Sequence, residues 1–453
     1  MKIKSINPRT GKLIKSFDEI SKNDIQITLD KAKLAQVKWA SYSKQERIAI
    51  IRRLKIILKR EETCIANIVY EEVGFSKADT LSEISGDILI GIDTHIEDYK
   101  EIKTADYSSE TCQAEVQFIP QGVVGHIGIW NYPVWQTLIT AVPALLAGNA
   151  IIYKLSEYAT MTGLKIAEII WEAGVPKDVF IPIIGGPKVG EALVKSNVDM
   201  IVFTGGTKTG NSIIKNAQTK PLLLELSGND AGIVCDDCDL DQTIRGMVYG
   251  GFLHSGQVCT RIKRIFVMRN ISDKFIEGYL KKAEKLKIGE EISPLIRNEA
   301  REKIDYQVKA AIKNGAKPLL GGHIILSPGF YYEPTVLLCD KQKDMYKDEI
   351  FGPVTLIQIV ENLEEAINLA NSTDYGLGAS VWTKNPKVAM EVAEQLEVGM
   401  VWINDSNLAI PGGIYYGGIK QSGIATAQSR IMSFMKKKMI IANSKAIVRD
   451  WWY

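Results

Sequence analysis

Three places in this sequence combine side-chain type and setting in a way that allows chemistry: a cysteine among small residues, a carboxylate closing an apolar run, and a glycine-rich turn. Cys259 lies in Phe252-Leu253-His254-Ser255-Gly256-Gln257-Val258-Cys259-Thr260, a stretch suited to a turn or helix start. A thiol there can be activated, because the thiolate is the nucleophile and a helix N-terminus or nearby base lowers its pKa. Taken alone, a buried and inert cysteine is the plainer reading. His254 is near in sequence only, which sets no geometry, and is read as structural. Glu225 ends the run Leu222-Leu223-Leu224. Ligand crevices form at strand C-termini of α/β sheets, and a partly desolvated carboxylate there has the raised pKa of a general base. An edge carboxylate paired to Lys220 fits the same residues. Phe203-Thr204-Gly205-Gly206-Thr207-Lys208-Thr209-Gly210 follows an apolar run and precedes a helical stretch. Glycines there let backbone approach a phosphate at a helix N-terminus, although a structural turn looks the same. Cys235-x-x-Cys238 sits among Asp236, Asp237 and Asp239 with no second pair, so its spacing reads as incidental and no metal is expected.

The elements that must position these groups alternate. Asn7-Pro8-Arg9-Thr10-Gly11 predicts a hairpin turn, and Asp24 to about Ser76 carries apolar residues at helical intervals. After Val116, apolar runs such as Ala150-Ile151-Ile152-Tyr153, Val179 to Ile184 and Met200 to Phe203 alternate with helices, the clearest from about Tyr158 to Ala173. The alternation resumes through Ile265-Phe266-Val267, helices over Asp273 to Lys285 and Arg301 to Asn314, and Val354 to Val360. Strands alternating with helices imply parallel sheets, here in two successive α/β units. The apolar, aromatic end, Lys438 to Ala442 and Trp451-Trp452-Tyr453, predicts a buried C-terminal strand and self-association.

Composition sets the bounds. A chain of 453 residues, 46% hydrophobic and 24% charged, is an ordinary globular protein of two or three domains. Lys plus Arg (55) nearly balances Asp plus Glu (53), so no field favours nucleic acid or an anionic membrane. Trp135 to Ile152 is broken by Gln136, Pro143 and Gly148-Asn149 and reads as helix, turn and strand, not as a membrane span. The N-terminus has no signal-like apolar run and the six cysteines are scattered, which predicts a cytoplasmic protein with reduced thiols.

In order along the chain stand Trp130-Asn131-Tyr132-Pro133, Lys154-Leu155-Ser156-Glu157, Phe203-Thr204-Gly205, Glu225-Leu226-Ser227-Gly228 and Gly256-Gln257-Val258-Cys259. They continue with Phe330 to Leu337, Glu349-Ile350-Phe351-Gly352-Pro353, Trp402-Ile403-Asn404 and Gly417 to Gly423. Together they resemble the aldehyde dehydrogenase superfamily over essentially the whole chain. The resemblance implies an aldehyde dehydrogenase-like α/β fold with two Rossmann-related domains and a small β oligomerisation element. Residues 1–100 with 122–226 would bind NAD, 227–425 would form the catalytic domain, and 101–121 with 426–453 would join subunits into a homodimer or homotetramer.

The same resemblance makes Cys259 the nucleophile on a small-molecule aldehyde, Asn131 and the Cys259 N–H the oxyanion donors, and Glu225 the base that activates the water hydrolysing the thioester. It assigns cofactor contacts to Trp130, Lys154, Glu157, Gly205, Gly206, Leu226, Glu349 and Phe351. Glu157 accepting ribose hydroxyls favours NAD over NADP, with Lys154 softening that choice. Leu155, Ser227, Asn229-Asp230 and Ala425-Thr426-Ala427 depart from the family's usual residues, and none removes a catalytic side chain. Rival readings are a CoA-acylating relative, against which Glu225 argues, a non-catalytic NAD-binding oligomer, and a cysteine hydrolase using Cys259 and His254. Val258, Thr260 and Trp135 would line the aldehyde tunnel. The expected substrate is a small aliphatic or aromatic aldehyde or a semialdehyde such as succinate semialdehyde.

Overall fold

The structure is a computed structural model describing residues 2–109, 112–339, 348–410, 416–424, 430–443 and 448. Among these, five parallel strands run in the spatial order Leu222–Glu225, Met200–Thr204, Val123–Ile127, Ala150–Lys154, Phe180–Ile183. The short strand Gly423–Ile424 adds antiparallel to the first. Three of these strands are buried at every position, as expected where helices cover both faces of a parallel sheet. The helices Lys22–Ala40 and Lys44–Glu72 begin where the sequence supplies caps, at Ser21 and in a capping box between Ser43 and Glu46. Pro133 opens the helix Pro133–Leu146, where its missing N–H costs nothing. Buried Trp39 and Arg47 then fasten the two N-terminal helices to its end, donating to the carbonyls of Leu145 (3.0 Å) and Leu146 (2.9 Å).

A second sheet runs in the order Lys317–Leu320, Thr335–Leu338, Val354–Val360, Arg264–Met268, Ala231–Val234, Gly378–Trp382, Met400–Ile403, parallel except at the first pair. Both sheets reverse their strand order at an inner strand, and such reversals open a crevice. In the first sheet the reversal lies between Val123–Ile127 and Met200–Thr204, whose C-terminal ends lead into Trp130-Asn131 and Gly205-Gly206. The second sheet presents the opposite ends of its strands: Asp230, Lys263 and Pro353 immediately precede Ala231, Arg264 and Val354. The crevice between the sheets is therefore bounded by strand ends on one side and strand beginnings on the other.

The C-terminal strand Met435–Ala442 pairs antiparallel with Gln113–Pro120 of its own chain, and Ala105–Asp106 completes a three-stranded sheet. Within the single chain Met439, Ile440 and Ile441 are exposed, since no element covers this sheet's outer face among the described residues, so the burial expected of this strand would have to come from a partner. Trp451-Trp452-Tyr453 and Ala425-Thr426-Ala427 lie outside the described residues. No helix among those described is long and apolar enough to cross a membrane.

Candidate active site

The segment carrying Cys259 leaves the helix Leu240–Phe252 through three residues of positive φ, His254 (52°), Ser255 (55°) and Gly256 (69°). Non-glycine residues hold such a conformation only where their surroundings over-determine it. Here Ser255 Oγ donates to the Ser293 carbonyl at 2.5 Å, and the Gln257 amide donates to the carbonyls of His254 and Pro294 and accepts from the Ile296 N–H at 3.0 to 3.1 Å. Gly256 has no latitude: a Cβ there would lie 2.1 Å from the Gly352 carbonyl oxygen. Gly256→Ala is expected to lower stability by about 2 kcal/mol or more and to displace the cysteine, read as a lower Tm together with slowed alkylation of Cys259.

Cys259 reaches the wall of a cavity of about 310 Å³. Burial pushes its thiol up to about 11, against the opposing pull of a hydrogen bond from Tyr416 and the charge of Lys263. The Cys259 Sγ to Tyr416 Oη distance is 2.8 Å. Tyr416 is itself held well above the ordinary tyrosine value by burial, so its hydroxyl stays protonated and serves as the donor once the thiolate forms. His254 also lines the cavity, but it stacks on Phe75 at 3.8 Å and burial drives its pKa down to about 3. It is a neutral packing group, and the thiol's partner is Tyr416.

Asn131 is buried, lines the same cavity, and donates from Nδ2 to the Gln257 carbonyl at 3.0 Å, which leaves its second amide hydrogen for another acceptor. Glu225 is buried at the end of its strand, with its carbonyl accepting the Gly205 N–H at 2.9 Å. Its carboxylate is not on the cavity wall; its charge is felt at the Tyr416 hydroxyl. Cys259 and Asn131 thus meet in one cavity, and Glu225 is not among the residues that line it.

The groups expected to hold NAD lie along the strand ends. Lys154 Nζ pairs with Glu157 Oε2 at 2.7 Å. Gly205 and Gly206 precede the helix Thr207–Asn216, whose N-cap Gly206 gives no side-chain cap, and a Cβ on Gly206 would meet nothing within 4 Å. That helix start offers its N–H groups to an anion. Leu226 is anchored by its N–H to the Ser422 carbonyl (2.8 Å) and packs its side chain against Gly210. Trp130 and Phe351 meet edge to face at 5.8 Å, and Glu349 accepts the Gly228 N–H at 3.4 Å.

Two departures from the family pattern acquire contacts. Ser227 Oγ accepts from the Thr207 N–H at 3.4 Å, and Asp230, pushed up to about 7 by burial, faces Lys263 and accepts from Asn407 at 3.3 Å. Cys235 and Cys238 are buried thiols whose pKa is raised, chiefly by burial and also by neighbouring aspartates.

Sequence reasoning missed three features. Tyr416, beside Gly417-Gly418, carries no signal of its own. Lys263 is masked by its basic neighbours Arg261 and Arg264. Asp79, Glu83 and Asp87 were legible, since a spacing of four puts carboxylates on one helical face. All three line the cavity, together with the rings of Tyr132, Trp135, Tyr249 and Tyr416, and no Lys or Arg does so among the described residues. Burial, with Asp87 and Asp79 nearby, pushes Glu83 up to about 8 although it accepts the Trp135 N–H at 2.8 Å.

The model of the aldehyde dehydrogenase family matches residues 1–440. The chain is 34% identical to betaine aldehyde dehydrogenase of Bacillus subtilis, covering 98% of this chain and 95% of that protein. A betaine aldehyde dehydrogenase variant of Staphylococcus aureus, solved with NAD+, superposes with a TM-score of 0.95 at 29% identity over 100% of this chain and 96% of that one. A glyceraldehyde-3-phosphate dehydrogenase of Methanocaldococcus jannaschii, solved with NADP, gives 0.91 at 30% identity over 98% and 99%.

Proposed function

The chain belongs to the aldehyde dehydrogenase family, NAD(P)-dependent enzymes that oxidise aldehydes, and we propose that its substrate is an aldehyde carrying an ammonium group, oxidised through Cys259, Asn131 and Glu225. The cavity lining carries this reading. A cation on the substrate's far end would face Asp79, Glu83 and Asp87 and rest against aromatic rings, an attraction worth about 1 to 2 kcal/mol for the rings alone when desolvated. A carboxylate tail would meet three others and no counter-charge. The similarity to betaine aldehyde dehydrogenases points to the same substrate class.

In the proposed sequence the Cys259 thiolate attacks the carbonyl carbon, and the electron pair moves to oxygen, received by Asn131 Nδ2 and the Cys259 N–H. Each such donor is worth about 3 kcal/mol. When bound, NAD supplies the hydride acceptor; Glu157 accepting both adenosine ribose hydroxyls would favour it over NADP. Loss of hydride leaves a thioester on Sγ, and Glu225 takes a proton from the water that cleaves it. The exposed strand Met435–Ala442 is the surface on which a second copy would extend the sheet.

The test is kcat/KM, followed by nicotinamide absorbance, for betaine aldehyde, an uncharged aldehyde of equal length and succinate semialdehyde. The cationic substrate is expected to lead by roughly tenfold or more, about 1.4 kcal/mol; a lead by the semialdehyde would refute the reading. Glu83→Gln should remove most of that advantage while sparing the uncharged aldehyde. The pH dependence has a definite sign. Glu83, with its raised pKa, is protonated below about 8, and a bound cation favours the ionised form, so KM for the cationic aldehyde falls as pH rises through about 8. The uncharged aldehyde's KM should stay level over that range.

A further inference from the structure

We propose that Lys263 is a positioning residue of the oxyanion site, its buried ammonium group orienting and polarising the peptide whose N–H receives the charge developing on the aldehyde oxygen. The inference rests on Cys259 being the nucleophile, as argued above.

The peptide joining residues 258 and 259 carries the Val258 carbonyl at one end and the Cys259 N–H at the other, and in a trans peptide these point in opposite directions. Lys263 Nζ donates to the Val258 oxygen at 3.2 Å and to the Cys259 oxygen at 2.6 Å. It therefore sits on the side opposite the N–H. A cation on the carbonyl oxygen draws electron density out of the amide and makes its N–H a stronger donor, an effect enlarged where water is excluded. The two bonds also fix two successive peptide planes, and hence the direction in which that N–H points.

Burial pulls the pKa of this amine down while the charges of Glu349 and Asp230 hold it up, and all three of its donors are committed. Its third donor faces Glu349 Oε1 at 3.4 Å, and the side chain is 2% exposed. Glu349 in turn receives the Gly228 N–H, and a Cβ on Gly228 would lie 2.6 Å from the Cys259 oxygen, so that segment closes on the same carbonyl. The backbone of Lys263 is held as well: its N–H donates to the Asp230 carbonyl at 3.0 Å and its carbonyl accepts from the Leu356 N–H at 3.0 Å. Lys263 itself is not among the residues that line the cavity. Lys263 acts through the peptide it holds.

The experiment separates a reaction that needs an oxyanion site from one that does not, on the same sulfur. Lys263→Met and Lys263→Gln are compared with the unaltered enzyme in single-turnover reduction of NAD by aldehyde and in alkylation of Cys259 by iodoacetamide, followed by mass spectrometry. Reduction should slow by about 30- to 100-fold in Lys263→Met, just below the roughly 10²- to 10³-fold cost of an oxyanion donor lost outright, and less in Lys263→Gln, which keeps an uncharged donor. Both reactions lose whatever thiolate the Lys263 charge had favoured, so the reading is the excess: alkylation should slow far less than reduction, and aldehyde KM should stay within about threefold. Parallel loss of reduction and alkylation would overturn the proposal in favour of a structural role, as would reduction at the original rate. If Lys263→Met does not fold, Lys263→Gln carries the same comparison. A Cys259→Ser enzyme that still reduces NAD would instead overturn the nucleophile reading on which this one rests.

Discussion

Cys259→Ser is expected to lower aldehyde oxidation by about 10⁴-fold or more, with binding of NAD unchanged when measured by quenching of tryptophan fluorescence. The size follows from removing a nucleophile that the other catalytic groups serve as a unit, so that what remains is binding and oxyanion stabilisation alone. The same thiol predicts its own pH dependence. Burial holds it near 11, so over most of the physiological range the free enzyme carries a neutral thiol, and the reactive thiolate grows tenfold with each pH unit below that value. Iodoacetamide inactivation of the free enzyme should therefore accelerate by about tenfold per unit between pH 7 and 10. A plateau already reached near pH 7 would show that Tyr416 and Lys263 outweigh burial. Retention of oxidation within tenfold in Cys259→Ser would remove the covalent mechanism altogether.

How much of this was legible beforehand depends on what kind of interaction each feature rests on. The helices beginning at Lys22 and Lys44 follow from Ser21, Ser43 and Glu46, because caps are local and written in consecutive residues. The parallel strands follow from short apolar runs between helical patterns, such as Ala150 to Tyr153. The C-terminal strand is legible as a strand, but what covers it is not: apolar side chains report that something must cover them, not whether it is the chain itself or a partner. At the site, Cys259 and Asn131, which share one cavity, and Glu225, which lies off its wall, are candidates that only the family resemblance of short motifs kept in order singles out. Tyr416 was not, because its contact with Cys259 bridges 157 residues and depends on how two α/β units face each other. Lys263 was hidden for a different reason. Four residues from Cys259, it is close enough to find, but a lysine becomes an internal clamp only when its ammonium finds the Val258 and Cys259 carbonyls, and sequence shows the charge without its partners.

Glu225→Gln divides the reaction at its midpoint. Glu225 stands off the cavity wall while Cys259 and Asn131 line it, and in the proposed sequence its carboxylate serves the water that arrives after the first half-reaction. On that reading the variant still forms the thioester: mixing it with aldehyde and NAD should give a burst of about one NADH per active site at close to the original rate. Steady-state turnover should then fall by roughly 10² to 10⁴-fold, the usual contribution of a general base. Hydroxylamine, which attacks a thioester without needing its own proton removed first, should restore much of the turnover in the variant and add little to the unaltered enzyme. If the burst itself slows by the same factor as the steady state, Glu225 is ionising Cys259 and the thiol's high pKa is overcome from that side. If turnover survives undiminished, water is activated elsewhere, and Glu225 is a buried strand-end carboxylate whose charge serves only to keep the Tyr416 hydroxyl protonated.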